Sequence, residues 1–328
     1  MNPFRGIEGQ PGAHGLLTRA LRERRLASAY LFEGPSGVGK ERTALALATH
    51  VVAGGDEALR RRVAEGNHPD VRIFRPRDEG SRNLPVEVIR EEVLPVVQFA
   101  PFEAQATFLV FPEADVSFPE NHPEAANAFL KTLEEPPKHV HFILLAERPD
   151  RLLVTTRSRC QRVRFAPLAP SILDRILAEA GIEPAARGPA IALAGGRADR
   201  ALELARGSRV VDLLDLALEV DAAAQSKKPG DRLDRAETIR SADDLRLALE
   251  GIALYYRDLV VLASGMDASA LSFASAADKL EARARATTAA AAAAREGKVR
   301  GAIEALERGA NAQIVLEALL MDLARVPR

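Results

Sequence analysis

The chain has 328 residues, of which 47% are hydrophobic and 28% charged, and its net charge is −1. This length exceeds the size at which one hydrophobic core usually keeps growing, so we expect two or three globular domains. The nearly neutral charge excludes the basic excess of an autonomous nucleic-acid-binding protein, and the single cysteine, Cys160, excludes an internal disulfide.

The N-terminal segment has no apolar run long enough for a signal peptide, and no later stretch reaches the roughly 18 apolar residues of a membrane span. We therefore expect a cytoplasmic protein without a membrane partner. A free cysteine also suits a reducing cytosol.

Hydrophobic periodicity and turn residues predict alternating strands and helices up to residue 165. Strands are predicted over 29–32, 71–74, 107–111, 140–146 and 162–165. Helices are predicted over 14–26, 41–52, 85–99, 124–135 and 150–156. Such alternation favours a parallel sheet that is covered by helices on both faces.

The predicted strands end at Phe165, and nearly everything from Pro170 onward is predicted to be helical. Glycine-rich breaks divide this helical part, so we expect domains over 1–165, 166–208 and 209–328. The alanine-rich run over 287–294 is interpreted as a good helix former without a function of its own.

A glycine-rich segment lies between the first predicted strand and the helix that follows it, and it reads Gly34, Pro35, Ser36, Gly37, Val38, Gly39 and Lys40. In this position the segment matches a P-loop, whose backbone N–H groups face a phosphate at a helix N-terminus while the lysine reaches the outer phosphates. The alternative is a tight strand-to-helix turn without a ligand.

Two residues depart from a working P-loop ATPase centre. Glu41 stands where a Ser or Thr would bind Mg²⁺, and its carboxylate would lie near the phosphates as a like charge. Pro112 stands where an Asp would hold the metal, although Glu113 remains at the next position. Both metal contacts are missing, so we expect a retained fold without hydrolysis.

Several segments together resemble the clamp-loader AAA+ subunits of bacterial DNA polymerase III. They are the P-loop, the His-Pro-Asp at 68–70, the Glu-Ala-Asp at 113–115, the Asn-Ala-Phe-Leu-Lys-Thr-Leu-Glu-Glu-Pro-Pro at 127–137 and the Ser-Arg-Cys at 158–160. The resemblance is strongest over 28–165. The segments 255–259 and 311–320 are similar to the helices through which these subunits oligomerise.

The resemblance implies an α/β P-loop (AAA+) domain followed by a small helical lid and an all-α collar domain. Because two metal contacts are lost, the chain resembles the family's non-hydrolysing stator; the alternative is an ATP-hydrolysing motor subunit of the gamma/tau type. The implied partners are the gamma/tau motor and delta subunits, with the sliding clamp and primer-template DNA reached through the complex. The complex belongs to a DNA-directed DNA polymerase, a nucleotidyltransferase.

The resemblance also gives Arg159 a role. It implies an arginine finger that acts in trans on the ATP site of the adjacent motor subunit, within the motif of Ser158, Arg159 and Cys160. The alternative is an exposed arginine at a helix end. Cys160 is interpreted as a small buried hydrophobic residue rather than a nucleophile.

The chain also departs from the family. Many members bind zinc through four cysteines before the His-Pro-Asp segment, and the segment 56–66 here has none, so no metal is expected. Asp199 aligns with the sensor arginine of the motor subunits, although a shift of one residue would place Arg200 there. We expect no required cofactor, and weak ATP or ADP binding at the P-loop stays open. Glu134 and Glu135 are either a solvated helix end or part of a subunit contact, and both alternatives stay open.

Three classes of function compete: a non-hydrolysing stator, an active P-loop enzyme and a scaffold that binds DNA directly. The changes at positions 41 and 112 count against the enzyme. The even charge counts against direct DNA binding.

Overall fold

A computed structural model describes residues 2–76, 83–120, 122–206, 209–242 and 244–327. The backbone divides into two compact units, Met1–Leu168 and Ala169–Arg328. The further division that we predict at 208 and 209 stays a prediction, because residues 207 and 208 lie outside the described residues.

The first unit contains a five-stranded parallel sheet with the order β2-β3-β4-β1-β5. Its strands are β1 (Ala29–Glu33), β2 (Val71–Ile73), β3 (Thr107–Phe111), β4 (Val140–Ala146) and β5 (Gln161–Arg164). Leu31 of β1 lies opposite Leu144 of β4 and Arg162 of β5. The predicted parallel sheet is thereby confirmed, with each of its five strands.

Helices accompany these strands along the chain. They are α1 (Pro11–Arg22), α2 (Lys40–Ala53), α3 (Glu57–Ala64), α4 (Val86–Val88), α5 (Leu94–Gln98), α6 (Ala114–Ser117), α7 (Glu124–Glu134) and α8 (Val154–Ser158). A π-helical turn, Ile89–Val93, joins α4 to α5, and a 3₁₀ turn, Pro149–Arg151, precedes α8.

The burial of each strand explains its composition. Every residue of β1, β3 and β4 is buried, as in an internal strand covered on both faces, and these strands are nearly continuous apolar runs. In the edge strand β5, only Val163 is buried. The apolar runs therefore predicted the internal strands closely.

Some helix predictions need correction. The helix predicted over 85–99 contains the π-helical turn, and Pro95 just after it cannot donate a backbone hydrogen bond, which favours a locally widened helix. The single helix predicted over 150–156 is wrong: Leu152 forms an isolated bridge with Pro119 and separates the 3₁₀ turn from α8. The segment 56–66 forms α3, with Asp56 as its N-cap.

The described residues of the second unit form helices joined by turns and loops, and no strand lies among them. Its helices are α9 (Pro170–Glu179), α10 (Pro184–Leu193), α11 (Ala198–Arg206), α12 (Arg209–Gln225), α13 (Pro229–Arg240), α14 (Leu245–Ala263), α15 (Ala277–Ala284), α16 (Ala289–Glu307) and α17 (Ala312–Arg325). The helical C-terminal region is thus confirmed. Among the described helices of both units, none is both long and apolar enough to cross a membrane.

Two tyrosines of the second unit are buried in its core. Tyr255 and Tyr256 of α14 are fully buried, and their hydroxyls donate to the buried carboxylate of Asp221 at 3.3 and 3.2 Å. The neighbouring Asp258 is also fully buried and accepts backbone hydrogen bonds from Ser272 and Phe273. These side chains hold the unit together, so they do not form a surface for a partner.

Candidate functional site

Three structural features after the strands lie at one edge of the sheet. In a parallel sheet the carboxyl ends of all strands meet at the same edge, which is where such folds bind ligands. The glycine-rich loop follows β1, Arg75 comes two residues after the end of β2, and Glu113 comes two residues after the end of β3. The parallel sheet therefore places the P-loop motif at the same edge as two charged side chains, although β4 separates β1 from β3 and β2.

The loop between β1 and α2 has the backbone that its glycines permit. Gly34, Gly37 and Gly39 have φ values of 148°, 67° and 96°, a region that other residues rarely adopt. At Gly34 an added Cβ would lie 2.2 Å from the carbonyl oxygen of Phe165, so glycine is also required for the close approach to the residue after β5. Gly39 is the N-cap of α2.

Lys40 folds back onto this loop. Its Nζ atom donates hydrogen bonds to the carbonyl oxygens of Gly34 and Pro35, each at 2.6 Å. Behind the loop, the amide of the buried Gln10 donates to the carbonyl of Val38 at 3.1 Å. The loop is thus held by its own lysine and by the N-terminal segment.

Glu41 pairs with an arginine. Its two carboxylate oxygens accept hydrogen bonds from Arg75 Nη1 at 3.2 Å and Arg75 Nη2 at 2.5 Å. The pKa of Arg75 is raised, first by the hydrogen bond to Glu41 and also by the negative charges of Glu41 and Glu113, while partial burial opposes the shift. The guanidinium of Arg75 therefore supplies positive charge to the carboxylate of Glu41 and lies near enough to Glu113 to feel its charge.

These residues do not fit Mg²⁺. The position after the lysine holds a carboxylate engaged by Arg75, and Pro112 offers no side-chain oxygen at the end of β3. A second cation beside the Arg75 guanidinium would meet like-charge repulsion. In the described part of the chain, no group of three or more His, Cys, Asp or Glu side chains is arranged to hold a metal.

The turn after β3 has an unusual backbone. Glu113 adopts φ 52° and ψ 46°, which is uncommon for a residue other than glycine, asparagine or aspartate. Asp115, buried in the next turn, accepts backbone hydrogen bonds from Glu147 and Arg148 at 3.3 and 2.9 Å. The Glu-Ala-Asp segment thereby joins the end of β3 to the loop after β4.

Arg159 is the C-cap of α8 and is half-buried. Its Nη1 atom donates to the carbonyl of Thr155 at 2.8 Å, and its Nη2 atom pairs with the carboxylate of Glu134 at the end of α7. The hydroxyl of the exposed Ser158 donates to the same Thr155 carbonyl at 3.0 Å. Arg159 therefore has a defined position in the isolated chain.

Cys160 is buried in the core of the first unit, in the same hydrophobic cluster as Leu133. Burial raises the pKa of its thiol to about 12. Because the thiolate is the reactive form, this cysteine is an inert packing residue, as its interpretation from the sequence states.

The His-Pro-Asp segment supports a loop. Asp70, which is 1% exposed, accepts backbone hydrogen bonds from Phe102, Glu103 and Ala104 at 2.7, 2.9 and 2.9 Å. His68 accepts the backbone N–H of Asp70 at 3.1 Å. Both side chains therefore have structural roles.

The candidate sensor residues are engaged within the second unit. Arg197 pairs with Asp199 at 3.0 Å, and Arg200 pairs with Glu250 at 3.1 Å. In either alignment, the position of the sensor arginine therefore holds an aspartate or an arginine that already has a carboxylate partner.

Arg75 is a residue of this site that sequence patterns did not predict. The signal was present, since Arg75 follows β2 at the same distance at which Glu113 follows β3, and carboxyl ends of parallel strands converge. Neither a motif nor periodicity marks it. Its role depends on a tertiary pair with Glu41, 34 residues earlier.

The first unit of the chain is similar to a known protein family. Residues 9–169 match the model of a family described as "DNA polymerase III, delta subunit". The chain is 34% identical over 184 residues to DNA polymerase III subunit delta' of Bacillus subtilis, and this match covers 54% of each chain. It is 33% identical over 180 residues to subunit delta' of Pseudomonas aeruginosa, which covers 52% of this chain and 53% of that one.

The chain is also similar to DNA polymerase III subunits named tau. The chain is 35% identical over 170 residues to DNA polymerase III subunit tau of Bacillus subtilis, which covers 49% of this chain and 29% of tau. The chain spans about half the length of the delta' relatives that it matches. Residues 9–169 are thus similar to the DNA polymerase III delta subunit family, and about half of the chain is similar to subunits named delta'.

Proposed function

We propose that this chain is the stator, or delta-prime, subunit of a bacterial DNA polymerase III clamp loader. In this role it does not hydrolyse ATP at its own P-loop. It supplies Arg159 to the ATP site of an adjacent gamma/tau motor subunit while the complex loads the sliding clamp onto primer-template DNA.

The observation that carries the proposal is the pair between Glu41 and Arg75. Positions 41 and 112 lack the metal-binding side chains of an ATPase. In addition, the guanidinium of Arg75 already neutralises the carboxylate of Glu41. Lys40 is also turned onto the loop carbonyls that lie beside it. These three features support a P-loop that keeps its fold without turning over ATP.

The location of Arg159 supports the second half of the proposal. The guanidinium lies at a helix end with its side chain 32% exposed, and its carboxylate partner Glu134 is 47% exposed. An ion pair of this kind contributes only about 0 to 1 kcal/mol, so the guanidinium of Arg159 stays open to a second anion beside Glu134. A phosphate of a neighbouring subunit's ATP is such an anion, and its oxygens can accept hydrogen bonds from the remaining N–H groups of the guanidinium.

The second candidate function is that of an ATP-hydrolysing motor subunit of the gamma/tau type. The similarity to tau favours it, because its identity of 35% is close to that of the delta' relatives. The carboxylate at position 41 and the proline at 112 count against it, since a motor needs Mg²⁺ contacts there.

ATP turnover separates the two. The purified chain is assayed for Mg²⁺-dependent ATP hydrolysis alone, and then in a complex with motor and delta subunits. The stator proposal expects background turnover from the chain alone and DNA-stimulated turnover from the complex. Turnover by the isolated chain at the rate of a motor subunit would instead support the second candidate.

A further inference from the structure

Two of the sequence blocks that carry the resemblance meet in one ion pair. Glu134 belongs to the block at 127–137 and Arg159 to the block at 158–160, and their side chains pair across 25 positions of sequence. Nothing in either block alone indicates that the two segments act together.

The position of each partner is set by the same hydrophobic core. Leu133, next to Glu134, and Cys160, next to Arg159, are both buried in one hydrophobic cluster. The cluster also contains Phe111 of β3, Phe129 of α7 and Phe142 of β4. On the other side of Ser158, Thr156 is also buried. The backbones on which the two charged side chains stand are therefore anchored to each other by packing, although the side chains themselves are partly exposed.

The guanidinium of Arg159 is held at two points. The carbonyl of Thr155 accepts from Nη1 at 2.8 Å, and Glu134 accepts from Nη2. A long arginine side chain without such contacts samples many rotamers, and ordering it on a ligand costs conformational entropy. Two fixed acceptors remove much of this cost before a ligand arrives, and each Nη atom still has a second N–H for another oxygen.

We infer that Glu134 is the positioning residue of Arg159: its carboxylate fixes the direction in which the guanidinium leaves α8, so that the arginine is preorganised for a phosphate of the neighbouring subunit. This inference rests on the proposed function, since it needs Arg159 to act in trans. It also assigns a role to the first of the two glutamates before Pro136 and Pro137, at the point where α7 ends.

The test uses the assembled complex with its motor subunits and measures DNA-stimulated ATP hydrolysis and clamp loading. In Glu134→Gln the charge that orients the guanidinium is lost while the shape of the side chain is kept. We expect turnover at the site served by Arg159 to fall roughly three- to tenfold, because misplacing a transition-state contact by a small distance is costly. The KM for ATP should stay nearly constant, since Glu134 does not touch the nucleotide.

Glu135→Gln is the matched control, because Glu135 is the exposed neighbour of Glu134 and the C-cap of the same helix. It should leave turnover unchanged. The double variant Glu134→Gln with Arg159→Ala should be no slower than Arg159→Ala alone, because a residue that acts only through Arg159 has no effect once the arginine is gone.

The outcomes separate this inference from the proposed function. If Arg159→Ala leaves turnover unchanged, the function assigned to Arg159 is wrong. If Arg159→Ala slows the complex but Glu134→Gln does not, or if the two losses add in the double variant, Glu134 does not position Arg159. Faster turnover in Glu134→Gln would overturn the inference as well, because it would show that the carboxylate competes with the phosphate.

Discussion

The guanidinium of Arg75 donates two hydrogen bonds to the carboxylate of Glu41, the residue that follows the P-loop lysine. Repairing the metal-binding positions is therefore not enough to restore nucleotide binding. In Glu41→Thr with Pro112→Asp, Arg75 would remain as a cation that has lost the carboxylate of Glu41 and repels Mg²⁺. We expect this double variant to bind Mg·ATP poorly.

Adding Arg75→Ala to the double variant should allow Mg²⁺-dependent binding, measured by titration with a fluorescent ATP analogue in the presence of Mg²⁺ and of EDTA. Arg75→Ala in the otherwise unchanged chain is the control and should bind no better than the parent. Equal Mg·ATP affinity of the double and triple variants would show that Arg75 does not exclude the metal. Full hydrolysis is not expected under the alignment that puts Asp199 at the position of the motor subunits' sensor arginine.

Arg159→Ala should leave the chain folded and able to assemble, because the ion pair that it removes is partly exposed. DNA-stimulated ATP hydrolysis and clamp loading by the complex should fall, by about 10³-fold or more at the site concerned if this arginine acts like the best-studied fingers. Lysine should substitute poorly, because it lacks the planar fork that contacts two phosphoryl oxygens. Arg164→Ala, which changes an arginine whose side chain is 84% exposed, is the control. A complex with Arg159→Ala that is as active as the parent would leave Arg159 a surface residue.

Asp70→Ala should destabilise the first unit by about 2 to 3 kcal/mol, because a buried carboxylate that accepts three backbone hydrogen bonds is lost. Urea denaturation of the full chain measures the change. Asp56→Ala removes an exposed carboxylate that accepts only the N-terminal N–H groups of α3, and it should cost about 1 kcal/mol. Equal losses in the two variants would contradict the structural role of Asp70.

Acidification should destabilise the first unit through His141. Burial lowers the pKa of this imidazole, and its hydrogen bond to the carbonyl of Ala27 opposes the shift only in part. A lowered folded-state pKa means that the unfolded chain binds the proton more tightly, so the stability is present above about pH 6.5 and is lost as the pH falls through the lowered value.

His141→Asn keeps an N–H donor for Ala27 and cannot titrate, so it should lose less stability between about pH 7.5 and about pH 5.5 than the parent does. Urea denaturation at both pH values measures the difference. His122→Asn, at an exposed position, should lose as much as the parent. If His141→Asn and the parent lose stability equally, His141 is not responsible for this part of the pH dependence.

The sequence predicted some parts of this unit well for physical reasons. The strands 107–111 and 140–146 have the predicted bounds because internal parallel strands are continuous apolar runs. The loop from Gly34 to Lys40 was recognised because its glycines allow backbone angles that few other residues adopt. The roles of Arg75 and Glu134 could not be predicted in this way. Arg75 pairs with a residue 34 positions away and Glu134 with one 25 positions away, and local sequence patterns do not contain such pairs.

The burial of Cys160 has a practical consequence for spectroscopy. The chain has one cysteine, and its thiol is buried with a pKa of about 12, so maleimide reagents will find almost no thiolate at neutral pH. The unmodified chain can therefore serve directly as the background for site-directed labelling. A cysteine introduced at an exposed position such as Glu135 would be the one reactive thiol, and its dye would test whether another subunit approaches the end of α7.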